Sequence, residues 1–207
     1  MSLLQIVLKG GFMMIPLVVC SIIGFAIIIE RLITLKKIHG NTRAFVLQVK
    51  TLLLSDKISE AVSLCKQTPG PVAAITKAGL LKRDKERQVI KDAIDGAGKT
   101  EIFELEKYLG VLGTIAAITP LIGFLGTVTG MIKAFMEIQS RGGNVDASVL
   151  AGGIWEALIT TAAGLSIGIV ALIFYNWLIA KVEKHVHEMA ESSNEILDML
   201  LEKEARS

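Results

Sequence analysis

Leu109–Lys133 reads LGVLGTIAAITPLIGFLGTVTGMIK, and no charge interrupts it before its final lysine. A helix of about 20 apolar residues crosses the hydrocarbon core of a bilayer, so this stretch is long enough to span one. It is more than greasy. Ala116, Thr119, Gly123, Thr127 and Gly130 recur every three or four positions and therefore share one helix face. Lipid gains nothing from such a face, whereas a second helix does, because small residues let two backbones approach closely. A second stretch, Ala157–Ala180, repeats the pattern with Ala157, Thr161, Gly164 and Gly168. The two spans are expected to pack together and build a shared interior.

Composition agrees. Of the 207 residues, 52% are hydrophobic, yet 20% are charged, and mean hydropathy is +0.56. Apolar and charged residues are segregated along the chain, the signature of an integral membrane protein with an aqueous part. A net charge of +2, without a basic cluster interleaved with aromatics, gives no reason to expect nucleic acid. Cys20 lies in an apolar run and Cys65 in a polar one, so they are expected to stay reduced and inert.

A first span is read at Phe12–Ile29. Its end, Ile-Ile-Ile-Glu-Arg, makes a poor signal-peptide cleavage site, so it is expected to be retained. Pro16 sits in its first turns, where a missing N–H costs little, and Gly10-Gly11 reads as a flexible lead-in. The polar region then offers helices from Thr42 or Asn41 to Leu54, from a Ser55 cap to Cys65, and from Val72 to Leu81 after Thr68-Pro69-Gly70-Pro71. Beyond an Asp84 cap no strong breaker precedes Pro120, which predicts one helix over 85–137, about 80 Å long. Arg141-Gly142-Gly143-Asn144 reads as a turn, and a last helix starts near Ala147. Its polar end places Val186, Met189, Ile196, Leu197 and Leu200 near one face.

The expected fold is therefore an all-α integral membrane protein with three transmembrane helices, the second and third extending into the cytoplasm. Its parts are an N-terminus and first span (1–34), a cytoplasmic helical region (35–107), the second span (108–137), a short periplasmic loop (138–147), the third span (148–180) and a cytoplasmic C-terminal helix (181–207). Residues 31–107 hold 15 of the 22 Lys and Arg, the tail adds Lys181, Lys184, Lys203 and Arg206, and only Lys9, Lys133 and Arg141 lie opposite. The positive-inside rule then puts the N-terminus outside and the C-terminus in the cytoplasm. Trp155 and Trp177 flank the third span as interfacial anchors would.

No P-loop, paired CxxC or HExxH is present, and no enzyme, cofactor or metal is expected. His185 and His187, two apart on a helix, point to different faces, and with His39 they read as solvated. Between Tyr108 and Ile132 no side chain ionises, and between Ala157 and Ala180 only Tyr175 does. Glu156 is the one carboxylate at a membrane edge: either a functional acid or one that snorkels to water. Thr127 and Thr161 either bond their own helix carbonyls or face a central lumen. A protein of this kind that conducts protons lacks a midplane carboxylate and needs another chain to supply it.

These residues resemble the MotA/TolQ/ExbB proton-channel family in its three-span ExbB/TolQ branch. The resemblance rests on LGTIAAITPLIGFLGTVTGMIKAF (112–135) and AGGIWEALITTAAGLSIGIVALIFYN (151–176), supported by MMIPLVVCSIIGFAIIIER and PGPVAAITKAGL (69–80). It implies a motor or stator subunit in the bacterial inner membrane, a homopentamer around a dimer of ExbD/TolR-like single-span chains whose transmembrane Asp carries the proton, with a TonB- or TolA-like protein downstream. Thr127 and Thr161 take the lumen-lining positions, and Glu156 the membrane-edge acid position. Pro120 takes a helix-kink position that would free the Ala116 carbonyl, and Gly123, Gly126, Gly130, Gly164 and Gly168 take packing positions. Three departures stand out. Thr160 adjoins Thr161 and widens the polar stripe, Trp155 precedes Glu156, and Gly168-Ile169-Val170 replaces a run that often holds proline. A four-span, MotA-like flagellar stator and a passive membrane scaffold are the competing expectations.

Overall fold

The computed structural model describes residues 10–38, 42–140 and 147–204. Among them are seven helices: α1 (Met14–Ile38), α2 (Thr42–Leu54), α3 (Ile58–Gln67), α4 (Pro71–Leu80), α5 (Arg87–Glu106), α6 (Leu109–Ser140) and α7 (Ala147–Glu204). No strand occurs among the described residues. The Arg141–Asn144 turn, Lys9, His39, the Asn41 cap and Arg206 fall outside them. Three helical stretches are long and apolar enough to cross a membrane. The protein is an all-α membrane protein.

The chain divides into two compact units. One holds the residues up to Glu30 together with Tyr108–Trp177, and the other holds Arg31–Lys107 and the chain from Leu178 onward. In the first unit the outward surface of the spans is apolar, with Phe25, Leu121, Phe124 and Ile173 all exposed. That surface suits lipid or further apolar helices and would be unstable in water. Along α6 the buried face is Leu109, Leu112, Ile115, Ala116, Thr119, Gly123, Gly126, Gly130 and Ala134, a run of small residues preceded by three aliphatic ones.

The second unit is built like a water-soluble helical domain. Phe45, Val46, Val49 and Leu53 of α2, Ala61 and Cys65 of α3, Val72, Ala73, Ile75 and Leu80 of α4, and Ile90 and Ile94 of α5 form one core. Met189, Ile196, Leu197 and Leu200 of α7 complete it. The apolar stripe of the C-terminal helix is thus a core-forming face. His185 follows the same stripe and is 8% exposed, 3.4 Å from Glu188, so it is buried and not solvated as expected; His187 is exposed. Cys65 is buried too, and burial pushes its thiol up from 9.0 to about 11. A raised thiol keeps its stabilising contribution below pH 9 and loses it as pH climbs toward 11. Thiol reagents at pH 8 are therefore expected to leave Cys65 unmodified in the folded protein and to react once it unfolds, which mass analysis of the labelled peptide checks.

Three expectations about helix ends need correction. Ser55 does not cap α3: its hydroxyl donates back to Thr51 O at 2.9 Å, and α3 starts after Lys57. Asp84 does not cap α5, which begins at Arg87; it pairs with Arg83 at 3.1 Å in the preceding turn. The predicted single helix over 85–137 is two helices. Lys107 turns extended and Tyr108 adopts φ +63, a left-handed conformation that costs a non-glycine residue about 1–2 kcal/mol. The stop is not written as Gly or Pro. It is accompanied by Arg31, 3% exposed, whose guanidinium donates to Glu104 O at 2.8 Å and reaches Leu105 O at 3.5 Å. These are carbonyls that the end of α5 leaves without helical partners, and a charged donor to such a group is worth about 1.5–3 kcal/mol.

Candidate functional site

The second and third spans meet along a seam of glycines. A Cβ on Gly164 would lie 2.5 Å from Thr119 O and 2.8 Å from Gly123 Cα, and one on Gly123 would lie 3.0 Å from Thr160 O. The seam continues through Gly130 against Ala157 to Gly153 against Ala134 at one end. At the other it runs through Gly168 against the Pro120 ring to Gly113 against Tyr175. Backbone touches backbone at its centre, which only glycine permits. The helix runs on through Pro120 without interruption, its ring seated on Gly168. Gly153, four residues before Ala157, and Tyr175, seven after Gly168, prolong the stripe of the third span, and Gly113, three before Ala116, prolongs that of the second; spacing alone does not say where contact along a stripe stops.

The threonines divide into different roles at this seam. Thr160 is 1% exposed, packs on Gly126, and donates to Ala157 O at 2.8 Å. A side chain already covered within one chain has no surface left to offer a lumen, so Thr160 belongs to the packing. Thr161 is half-buried and donates across the seam to Gly123 O at 2.9 Å. Thr127 is also half-buried and donates to Phe124 O of its own helix at 2.5 Å. The two hydroxyls share one chemical consequence. A hydroxyl has one proton and two lone pairs, and both protons are committed to backbone carbonyls. What Thr127 and Thr161 offer to a visitor is acceptor capacity.

Glu156 stands at the N-terminal end of the third span, with its side chain 30% exposed. Its Oε1 lies 3.2 Å from Lys133 Nζ. The sequence counted Lys133 only toward orientation. Its pairing was not legible because the partners lie 23 residues apart on different helices.

The sequence is similar to known proteins. Residues 67–191 match the MotA/TolQ/ExbB proton channel family, a match that includes both helices of the seam. The chain belongs to this family. TolQ of the Tol-Pal system of Haemophilus influenzae is 32% identical over 173 residues, covering 78% of this chain and 75% of TolQ. The biopolymer transport protein exbB1 of Vibrio cholerae is 30% identical over 178 residues, 83% of this chain and 76% of its own. An ExbB-like biopolymer transport protein of Synechocystis is 29% identical over 196 residues, 94% and 77% respectively. These extents place this family member in the ExbB/TolQ-like branch, as the two signature blocks implied.

Proposed function

We propose that this ExbB/TolQ-like chain is the stator subunit of a motor in the bacterial inner membrane, driven by the proton motive force. Five copies surround two single-span partners of the ExbD/TolR type, with the N-terminus periplasmic and the C-terminus cytoplasmic. The observation that carries the reading is the pair Thr127 and Thr161. They are half-buried polar groups beside a glycine seam, in spans with no acid or base of their own between Tyr108 and Ile132. Such a surface has a use when a second chain brings an ionisable group to it.

The hydrogen bonds suggest which protonation state is held. The acceptor lone pairs of Thr127 and Thr161 receive the O–H of a neutral, protonated partner Asp. A carboxylate meets lone pairs and is repelled, and for Thr161 to donate to it the bond to Gly123 would have to break. Proton loss toward the cytoplasm then releases the partner from one threonine pair. Reprotonation from outside lets it bind the next pair around the ring. Each proton crossing the field supplies about 2.3 kcal/mol per 100 mV, and the cycle converts this into stepwise relative rotation. An outer-membrane transport or envelope process would be the load, reached through a TonB- or TolA-like protein.

The native mass of the complex purified from its own cells, with each co-purifying chain identified, tests this. Five copies of the 22.3 kDa chain with two small chains bearing a membrane Asp is the expected result. A monomer or dimer without an acidic partner would leave a passive scaffold and return the threonines to packing.

A further inference from the structure

Three elements converge on one carboxylate. Lys133 of α6 reaches Glu156 of α7 at 3.2 Å. The turn before α1 comes up against the same group. Gly11 holds φ +68, and a Cβ there would collide with Glu156 Oε1 and Cδ. Gly10-Gly11 is thus no loose lead-in: Met14 N–H bonds Gly11 O at 3.1 Å, and a Cβ on Gly10 would sit 3.2 Å from Ile159 Cγ2. All of these residues lie within the apolar unit. A left-handed glycine pressed against a carboxylate, with a lysine from a second helix on the same oxygen, forms a clasp that fixes where that oxygen points.

We propose that Lys133 and the Gly11 turn are positioning residues that hold the Glu156 carboxylate at the N-terminal end of the third span. Within the reading of the preceding section, on which the role rests, the clasp keeps a carboxyl group in one place at the outer mouth where protons enter. Lys133 orients it without itself meeting the proton carrier. The bare Coulomb attraction of an exposed pair is small, so the role lies in geometry more than in stability. Arginine at 133 should serve, and methionine, equal in apolar reach, should not.

Two measurements on the full complex with its partner chain test this. The first is independent of proton flow. A water-soluble carbodiimide activates the Glu156 carboxyl, and Lys133 Nζ displaces the activating group to form an amide while the carbodiimide leaves as its urea. Peptide mass analysis should find residues 133 and 156 joined in the wild type and at least fivefold less so in Gly11→Ala. No amide in the wild type, or an undiminished yield in Gly11→Ala, overturns the clasp. The second is proton flux into vesicles reconstituted with the complex. Lys133→Met should lower flux about fivefold or more with assembly and melting unchanged, Lys133→Arg should keep it within about twofold, and Lys133→Met should add no loss in a Glu156→Gln background. Wild-type flux in Lys133→Met, or losses that multiply in the double variant, overturns the positioning role. A wild-type complex without any flux would instead overturn the motor reading and the role with it, while the clasp stands or falls on the amide.

Discussion

Gly164→Val is expected to stop the chain from reaching its folded form. The added Cβ meets Thr119 O at 2.5 Å and Gly123 Cα at 2.8 Å, well inside the roughly 3.5 Å at which carbon atoms pack comfortably. Both obstacles are backbone, so no rotamer change relieves them and the two spans must separate. Crowding a packed core with side chains costs about 1–3 kcal/mol, and rigid neighbours on both sides push this substitution to the top of that range or beyond. Separation would also break the Thr161–Gly123 bond and pull Thr160 off Gly126. Folded yield and melting temperature in detergent are the measurements. Gly152→Ala is the control, since its added methyl meets nothing within 4 Å and should leave melting unchanged or raise it slightly, as helix propensity dictates. A normal melting curve for Gly164→Val would mean that the seam is not closed in the working protein.

The second large effect is on output. Thr161→Val keeps shape and volume while removing the hydroxyl. It is expected to abolish energised output and proton flux in cells or vesicles that contain the partner. Losing one interhelical hydrogen bond in a membrane costs only about 0.6–1.7 kcal/mol, so assembly should survive with a small drop in melting. Thr161→Ser keeps an oxygen able to donate to Gly123 O and accept from a visitor, and should retain most output. Thr160→Val separates the neighbours: its target is buried against Gly126, so it should change melting and leave output proportional to folded protein. Normal output from Thr161→Val would remove the hydroxyl from the mechanism and with it the acceptor argument.

The three spans, the helical class and the family were legible because each rests on a one-dimensional signal. Twenty apolar residues, a helical period in small residues and two long ordered motifs can all be read without knowing what touches what. Small residues at helical spacing also mark the buried face, where Ala116, Thr119, Gly123 and Gly130 lie. The spacing does not say which of two neighbours is covered: Thr160 is buried against Gly126, while Thr161, next to it, stays half-buried and reaches across to Gly123 O, and Thr127 stays half-buried. Neighbouring residues on a helix differ by 100° in direction, and a small-residue period cannot fix the centre of a face to better than that.

What the sequence determined by itself was local or periodic: membrane spans, a polar helical region, glycines where backbones meet, and spans devoid of an acid at their centre. Tertiary structure alone decided the rest. It ended α5 at Glu106, before the left-handed Tyr108, with Arg31 beside the freed carbonyls, buried His185 in a polar-looking helix, and brought Gly11, Lys133 and Glu156 onto one point. It also committed the Thr161 proton to Gly123. Each of these joins residues far apart in the chain, and the direction of a hydroxyl proton or the partner of a lysine is fixed by the group that packing sets within about 3 Å of it, which no spacing along the chain encodes.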